Sequence, residues 1–409
     1  MSRLEPTNEA SAMQKEISAI AEQGGGTTKV EQLIQQYCPD GVEYKKLGEI
    51  CNLSRGKVYS KSYIEKNAGA YPVYSSQTAN NGELGRISTY DYDGEYLTWT
   101  TDGAYAGTIF YRKGKFSITN VCGLISPKED NLNIKFLFYW LSIKAPDYVY
   151  RGMGNPKLMS NQMEPIKIPV PPLPVQEEIV RILDNFAELQ AELQAELQKR
   201  LQQYNYYRDN LLSFEGRTDV EWKKLGEIGK VCMCKRILKD QTSSTGDIPF
   251  FKIGTFGGSA DAYISKELFE EYVKKYSYPK KGDILISAAG TIGRTVVFDG
   301  TPSYFQDSNI VWLKHDESVV LNSYLRYIYS LNPWAISTGG TIARLYNDNI
   351  LNAVIPVPPL TEQQRIVDIL DRFNTLTTDI TAGLPAEIEA RRKQYEYYRD
   401  QLLTFKQKA

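Results

Sequence analysis

IPVPPLPVQEEIVRILDNF, residues 168–186, returns as IPVPPLTEQQRIVDILDRF, residues 355–373. In each copy prolines recur within two residues of one another, which excludes a helix interior and forces extended backbone. Apolar residues at three- and four-residue steps follow at once, the mark of a helix. The stretch therefore predicts one joint built twice, an extended segment that closes one element and a helix that opens the next. Two more blocks repeat around it: YKKLGEI (44–50) returns as WKKLGEI (222–228), and YNYYRDNLLSF (204–214) as YEYYRDQLLTF (395–405). The copies lie about 178, 187 and 191 residues apart, a domain-sized period rather than the 20–50 residues of a repeat array. Between the blocks, residues 51–167 and 229–354 are far less alike. Two constant frames around two different inserts predict one architecture reading two different things.

The helix that leaves the first joint is long. From Val175 to about Ser213, apolar side chains recur at Ile179, Leu183, Phe186, Leu189, Leu193, Leu197, Leu201, Tyr204, Tyr207 and Leu211. About 40 residues rising ~1.5 Å each give a rod of roughly 60 Å. A periodic helix of that length without Gly or Pro predicts a coiled coil. The second copy, 361–405, repeats the pattern, with Gly383-Leu384-Pro385 expected to kink or interrupt it. The obvious partner of each rod is the other. AELQ stands three times in tandem over 187–198. It reads either as helix-forming filler or as an adjustable spacer. One unit adds about 6 Å and over-rotates by about 40°, a stutter that a coiled coil absorbs by local unwinding.

Both inserts read as mixed α/β. In the first, YPVY, EYLTWTT, TIFYR and CGLIS are strand-like runs between turn residues, and IKFLFYWLSIKA (134–145) is a helix. In the second, IPFFKIG, DILISAA, TVVFDG and NIVWLK keep the order, with LNSYLRYIYSL (321–331) as the matching helix. One shared fold with divergent surface loops is expected. The domain plan is a polar extension 1–26, with a short helix over 9–22 and a Gly24-Gly25-Gly26 end. A first domain 27–170 follows, with a leading helix on Val30, Leu33, Ile34 and Tyr37. Then come a long helix 171–215, a second domain 216–357 and a second long helix 358–409.

Composition excludes several classes. No apolar run approaches the roughly 18–20 residues that span a bilayer, and the polar N-terminus lacks a signal-peptide core, so a cytoplasmic address is expected. Five cysteines without framework spacing and a single histidine argue against structural zinc and disulfides. A Ser-His-Asp or Cys-His site would need His315, in the run LKHDES, which reads as a solvated turn. Asn332-Pro333-Trp334-Ala335 is too degenerate for an amino-methyltransferase motif. Pro39-Asp40 with Glu43 and Lys45 is too compressed for a nuclease pattern, and no phosphate loop occurs. The net charge is −1, but residues 41–165 hold 15 Lys/Arg against 12 Asp/Glu and residues 217–353 hold 17 against 15. Mildly basic inserts are compatible with DNA.

The ordered, duplicated set of blocks, together with CPDGVEYKKLGEI at 38–50, resembles the specificity subunit of Type I restriction–modification enzymes over residues 29–405. The resemblance implies two similar α/β target recognition domains separated by two long antiparallel helices, with an internal pseudo-twofold repeat. It implies a non-catalytic subunit whose domains each read one half of a bipartite, asymmetric site in double-stranded DNA. The helices would set the gap and dock two adenine methyltransferase subunits and, in the full complex, restriction subunits. No cofactor is then expected on this chain. S-adenosylmethionine, ATP and Mg would sit on the partners. A coiled-coil scaffold that binds proteins only is the alternative.

Phosphates call for basic side chains and base edges for amides and hydroxyls. In the first insert the candidates are Arg55, Lys57, Lys61, Gln77, Asn80, Asn81, Thr101, Asp102, Tyr105, Arg151, Asn155 and Lys157. In the second they are Lys235, Arg236, Lys252, Thr255, Ser287, Arg294, Gln306, Asn309, Thr341 and Arg344. Lys157 falls on Arg344 when the IPVPPL blocks are aligned, which favours a phosphate contact at both. For partner docking, Tyr204, Tyr206, Tyr207 and Arg208 match Tyr395, Tyr397, Tyr398 and Arg399. Packing between the rods is the competing reading of these tyrosines.

Overall fold

The structure is a computed structural model that describes residues 29–152, 154–335, 344–379 and 381–408. The extension 1–26, its expected short helix and Thr341 lie outside the described residues. The chain divides into two compact units. One runs up to Gln194 and resumes at Ile388; the other spans Ala195–Glu387.

In the first unit, α1 (Lys29–Tyr37) and β1 (Tyr44–Lys46) lead into a helical turn over Leu47–Ile50. The insert follows as β2 (Cys51–Arg55), α2 (Lys61–Lys66), β3 (Ala68–Tyr74), β4 (Glu83–Ile87), β5 (Tyr92–Thr100), β6 (Ile109–Ile118), β7 (Cys122–Pro127) and α3 (Ile134–Lys144). Then β8 (Lys167–Pro169) closes it and α4 (Leu173–Ser213) leaves. The second unit keeps this plan. Its elements are β9 (Glu221–Lys224), β10 (Gly229–Met233), β11 (Ile248–Phe251), β12 (Tyr263–Ile264), α5 (Lys266–Lys275), β13 (Ile284–Ser287), β14 (Thr295–Val297), β15 (Tyr304–Phe305), β16 (Ile310–His315), α6 (Asn322–Ser330), β17 (Val354–Val357) and α7 (Leu360–Thr378). α8 (Gly383–Leu402) follows. His315 thus ends a strand rather than lying in a solvated turn, and its Nε2 lies 2.9 Å from the Val320 carbonyl oxygen.

The repeated blocks pair with each other. β1 runs antiparallel to β8 with Tyr44 opposite Pro169, and β9 antiparallel to β17 with Trp222 opposite Pro356. The register is the same in both copies, so the frame closes each insert at its base. A proline is tolerated there because a two-stranded ribbon leaves one side of each strand without ladder bonds.

The inserts share their sheet. The order β2-β7-β5-β6 in the first matches β10-β16-β13-β14 in the second. A parallel pairing also recurs, Val73 with Ser117 and Tyr74 with Ile118, against Phe250 with Tyr304 and Phe251 with Phe305. The difference is one break. β6 runs unbroken and carries β3 and β4 into a six-stranded sheet, whereas β14 and β15 divide the same path, which leaves β12-β11-β15 as a separate sheet. Trp99 anchors the first insert, fully buried, its Nε1 donating to the Leu158 carbonyl at 2.9 Å. It stands opposite Gly123, where a Cβ would lie 2.3 Å from its ring; only glycine admits it.

One buried side chain joins insert to helix in each unit. Gln176, at the start of α4, accepts from Asn133 N at 2.8 Å and donates to the Asn131 and Pro171 carbonyls at 2.9 and 2.6 Å. Gln363, at the start of α7, accepts from Leu321 N at 2.9 Å and donates to the Val319 and Pro358 carbonyls at 2.9 and 2.8 Å. Two turns on, Tyr139 donates to Asp184 at 2.7 Å and Tyr327 donates to Asp371. Burial and the carboxylate together push both phenols up.

The rods meet as expected within each unit. Phe186 of α4 stacks on Tyr398 of α8, centroids 5.7 Å apart. Its repeat, Phe373 of α7, stacks on Tyr207 of α4 at 5.4 Å. The second rod is interrupted, as the Gly-Leu-Pro sequence predicts, but just ahead of it. Asp379 Oδ1 accepts from Thr381 N and Ala382 N at 2.8 and 3.2 Å. This local turn competes with the helix ladder.

Gln363→Met keeps most of the volume but strands one buried N–H and two carbonyls. It should destabilise the second unit by about 2–4 kcal/mol, read as an earlier urea midpoint for that unit. A change below about 0.5 kcal/mol would mean water replaces the amide.

Candidate nucleic-acid interface

In the first insert, backbone bonds draw four loops and a return segment together. Lys57 N donates to Ile118 O at 3.2 Å, tying the loop after β2 to the end of β6. Ser76 Oγ donates to Val121 O and accepts from Thr101 N. Leu158 N donates to Thr101 O at 2.8 Å, and Gly103 N to Pro156 O at 3.1 Å. Lys57, Gln77, Asp102, Tyr105, Asn155 and Lys157 therefore ride on loops bonded to one another, and Arg151 follows Tyr150, which is paired with Lys157. Arg55, at the end of β2, reaches Met159 of the same return segment. Lys61 is not drawn in by these bonds; it opens α2.

The candidates differ in what they are free to do. Tyr105 is 67% exposed, and Gln77, Asn80 and Asn81 face solvent. Asn80 and Asn81 also carry φ of 49° and 51°, a left-handed conformation that Asn tolerates better than other L-residues. Their amides thus have a backbone reason to be present as well as a recognition one. Thr101 is buried, and its hydroxyl donates to Val121 O at 2.7 Å; the structure gives it to loop anchoring rather than to a ligand. Lys57 pairs with Asp91 at 2.5 Å, and Tyr59 donates to the same carboxylate. Burial alone would raise the Asp91 carboxyl, but the bonds from Lys57, Tyr59 and Ser117 outweigh it and hold it below the usual range.

The second insert has the same construction. Leu345 N donates to Ala288 O at 2.9 Å, the counterpart of the Leu158–Thr101 bond. Lys157 and Arg344 each precede that leucine, so the aligned basic pair occupies one place in both folds. Arg344 Nη2 donates to Ser308 O at 3.1 Å and to Asn309 Oδ1 at 3.3 Å. Arg236 Nε donates to Asp307 at 2.8 Å, Arg294 Nη2 to Gly257 O at 3.2 Å, and Lys252 pairs with Asp261 at 2.8 Å. Gln306 Oε1 accepts from Ile253 N at 2.9 Å, and Thr255 Oγ1 accepts from Lys252 N at 3.1 Å. Ser287 is buried, with its hydroxyl donating to backbone carbonyls. Lys235 lies 5.2 Å over the Tyr276 ring. These bonds gather the loops at 235–236, 252–257, 287–294, 306–309 and 344–345.

On the rods, Tyr207 and Tyr398 turn inward onto phenylalanines, while Tyr204 and Tyr395 pack against the two cores. Arg208 and Arg399 lie over Tyr204 and Tyr395 at 5.8 and 5.7 Å and pair with Asp209 and Asp400. The exposed members are Tyr206 and Tyr397, at 66% and 62%. Sequence reasoning also passed over Arg112, in the hydrophilic run YRKGK; the structure buries it. Among the described residues no group of three or more His, Cys, Asp or Glu is placed to hold a metal ion, all five cysteines are free and buried, and no helix is long and apolar enough to cross a membrane.

Comparison with known proteins agrees with this duplication. The family model described as the Type I restriction modification DNA specificity domain matches twice, over residues 39–203 and 218–390. A putative type I restriction enzyme specificity subunit of Haemophilus influenzae is 48% identical over 375 residues, covering 89% of this chain and 96% of that protein. The EcoR124I/EcoR124II specificity subunit of Escherichia coli is 31% identical over 403 residues, covering 93% of each. Among solved structures, the S subunit of a type I restriction–modification system from M. genitalium superposes with a TM-score of 0.54 at 14% identity, over 88% of this chain and 95% of that one. The fold is thus held at an identity too low to carry individual contacts.

Replacing Asn81 by Gly should leave stability within about 0.5 kcal/mol, while Ala should cost about 1–2 kcal/mol through the left-handed backbone. Thermal melts of both variants check this. Equal melting points would mean the loop has no fixed left-handed turn.

Proposed function

The chain belongs to the Type I restriction–modification DNA specificity family, and on that premise we propose that its two inserts each read one half of a bipartite, asymmetric site in double-stranded DNA. One observation carries the reading. The same strand order, closed by the same Leu158 and Leu345 bonds, presents two different sets of polar loops. A fold duplicated for stability alone would have no reason to vary its loops while keeping its sheet. Arg55, Lys57, Lys61, Arg151, Lys157, Lys235, Arg236, Lys252, Arg294 and Arg344 are assigned to phosphates, which position the protein. Gln77, Asn80, Asn81, Asn155, Gln306 and Asn309 are assigned to base edges, which specify.

Chemistry belongs to the partners. Two adenine methyltransferase subunits, with S-adenosylmethionine, and in the full complex restriction subunits, with ATP and Mg, would dock on the frame and work on DNA in the cytoplasm. The complex would then methylate adenine-N6 and cleave DNA site-specifically, with no reaction step on this chain. Tyr206 and Tyr397 suit the docking role. They occupy equivalent places on the two rods and stack edge-on against Tyr207 and Tyr398 at 5.6 and 5.3 Å. Two like platforms on one chain fit two copies of one partner.

The test is a methylome. Co-expression with the neighbouring methyltransferase subunit should add one bipartite motif to the genome, with a fixed gap and one N6-methyladenine on each strand. Assembly of the two proteins without any new motif would favour the scaffold alternative.

The AELQ array supports a second expectation. The boundary between the two compact units, Gln194–Ala195, falls inside it, and removing 195–198 spares Leu189, which is buried in the first unit's core. Deleting one unit should keep both half-sites and shorten the gap by about one to two base pairs, since about 6 Å of helix is removed against a 3.4 Å rise. An unchanged gap in an assembled complex would rule out the spacer role.

A further inference from the structure

Arg112 of β6 lies beneath the loop at residues 75–82 and is 2% exposed. Its Nε donates to Thr98 Oγ1 at 3.1 Å. The guanidinium carbon lies 3.6 Å over the Tyr74 ring and 4.5 Å from the centre of the Phe110 ring. Neither Nη1 nor Nη2 meets an acceptor in hydrogen-bonding geometry. Burial disfavours the cation and outweighs the Tyr74 side chain and the Glu83 charge, which favour it. An arginine keeps its charge in a protein, and an unpaired buried cation is among the costliest groups a core can hold. The acid that could relieve it, Glu83 at the start of β4, is held instead by Arg86, at 2.8 and 2.9 Å.

The fold itself has no need of this cation. Tyr96 stands opposite Arg112 in the first insert. In the second, the matching bond runs from Phe298 N to Asp283 O at 2.9 Å, so Phe298 holds the equivalent place. It is buried against Phe305, with centroids 5.6 Å apart. An aromatic side chain thus fills in one insert the place that a charge fills in the other. The reason for an arginine at this place is therefore particular to the first insert.

The cover over Arg112 is a thin one. Asn80, Asn81 and Gly82 follow one another at φ 49°, 51° and 78°, three left-handed residues in a row. A Cβ on Gly82 would lie 2.9 Å from Arg112 Nη2 and 3.2 Å from the Gln77 carbonyl. Left-handed backbone of this kind depends on the contacts around it. Here Ser75 N donates to Gly82 O at 2.9 Å and Gln77 Nε2 donates to Glu83 O, so a ligand that takes over Gln77 loosens the turn. The same loop carries the exposed Gln77, Asn80 and Asn81.

We propose that Arg112 is a phosphate-binding residue of the first insert, oriented by Tyr74 and Phe110 and uncovered to a DNA backbone when the loop at 75–82 lifts. Its two Nη donors form a planar fork that matches a pair of phosphate oxygens, and the ring stack holds that plane before the ligand arrives. The inference rests on the DNA-reading function proposed above.

The experiment uses the complete complex with methyltransferase subunits and a duplex carrying the motif found by methylome sequencing. Affinity is measured between 50 and 200 mM salt for the natural chain, Arg112→Met and Arg112→Lys. Loss of one phosphate contact lowers the slope of log affinity on log salt by about 0.9. The affinity advantage over Arg112→Met should therefore shrink about threefold across that range. Arg112→Lys should keep the natural slope, and Arg112→Met should melt no earlier than the natural chain. An Arg112→Met complex with the natural slope would overturn the proposal. Should Met disturb the packing, Arg112→Gln serves as the second neutral variant under the same criterion. Absence of any motif-selective binding by the natural complex would instead overturn the DNA-reading premise.

Discussion

A buried glutamine at the first turn of a long helix is the constraint from which the rest of each unit follows. Gln176 and Gln363 meet one amide and two carbonyls at a single point. Those groups come from the approach to the insert's helix and from the proline segment that ends the insert. The prolines create the need. They hold the backbone extended where it turns into the helix, so carbonyls at 171 and 358 lie buried beside it. An amide side chain supplies an acceptor and two donors at once, and no other uncharged side chain does. A carboxylate would face two carbonyls, and an apolar residue would leave three polar groups without partners. With this clip in place, Asp184 and Asp371 fall two turns further on, where Tyr139 and Tyr327 reach them. Phe186 and Phe373 fall on the face that takes a tyrosine from the end of the other rod.

The frame was legible in the sequence because it is written twice. Proline spacing, helical periodicity and recurrence pointed to the same joint, and the structure pairs the repeated blocks in one register. The four strand-like runs and the one helix read in each insert are present in that order, but α2, α5 and strands such as β2, β4, β10, β12 and β15 were not read. The sheet that the inserts share was not legible either. Strand order depends on which separate runs pair, β2 with β7 and β10 with β16 across most of an insert, and such contacts leave no periodic trace. The break that splits the second sheet shows this. TIFYRKGKFSI and TVVFDGTPSYF occupy the same path, yet Gly300 and Pro302 interrupt one, while Gly114 lies within β6 without breaking it. Residue type alone did not separate these cases.

The interface was legible at the level of loops and less so at the level of residues. Polar residues in turns have two employers. They satisfy buried backbone groups, which are obligatory, or they face a ligand. Thr101 and Ser287 went wholly to the first employer, and Gln306, Thr255 and Arg344 commit at least one bond to it. A sequence offers no way to tell the two apart, because both choose Ser, Thr, Asn, Gln and Arg. Arg112 is the converse case. It closes the strand-like run TIFYR and was not among the candidates; burial alone marks it out. Tyr206 and Tyr207 are adjacent and chemically identical, and only their place on the helix surface sends one outward and the other onto Phe373.

A net charge of −1 is compatible with reading DNA once the basic groups are followed to their partners. Lys57, Lys252 and Arg236 each stand against an aspartate, Asp91, Asp261 and Asp307. These pairs are partly exposed, and pairs of that kind contribute about 0–1 kcal/mol each. An array of phosphates can therefore displace the aspartates at little cost, whereas an isolated anion gains little by doing so. On the proposed reading, the acids keep the loops ordered and their mutual repulsion low until a duplex aligns several phosphates at once. Arg112 is the exception, a buried cation whose nearby acid, Glu83, is committed to Arg86, and the proposed answer to its charge is the ligand itself. The loop that covers it also carries amides suited to base edges, so lifting that loop couples gain of a backbone contact to repositioning of the groups that read sequence.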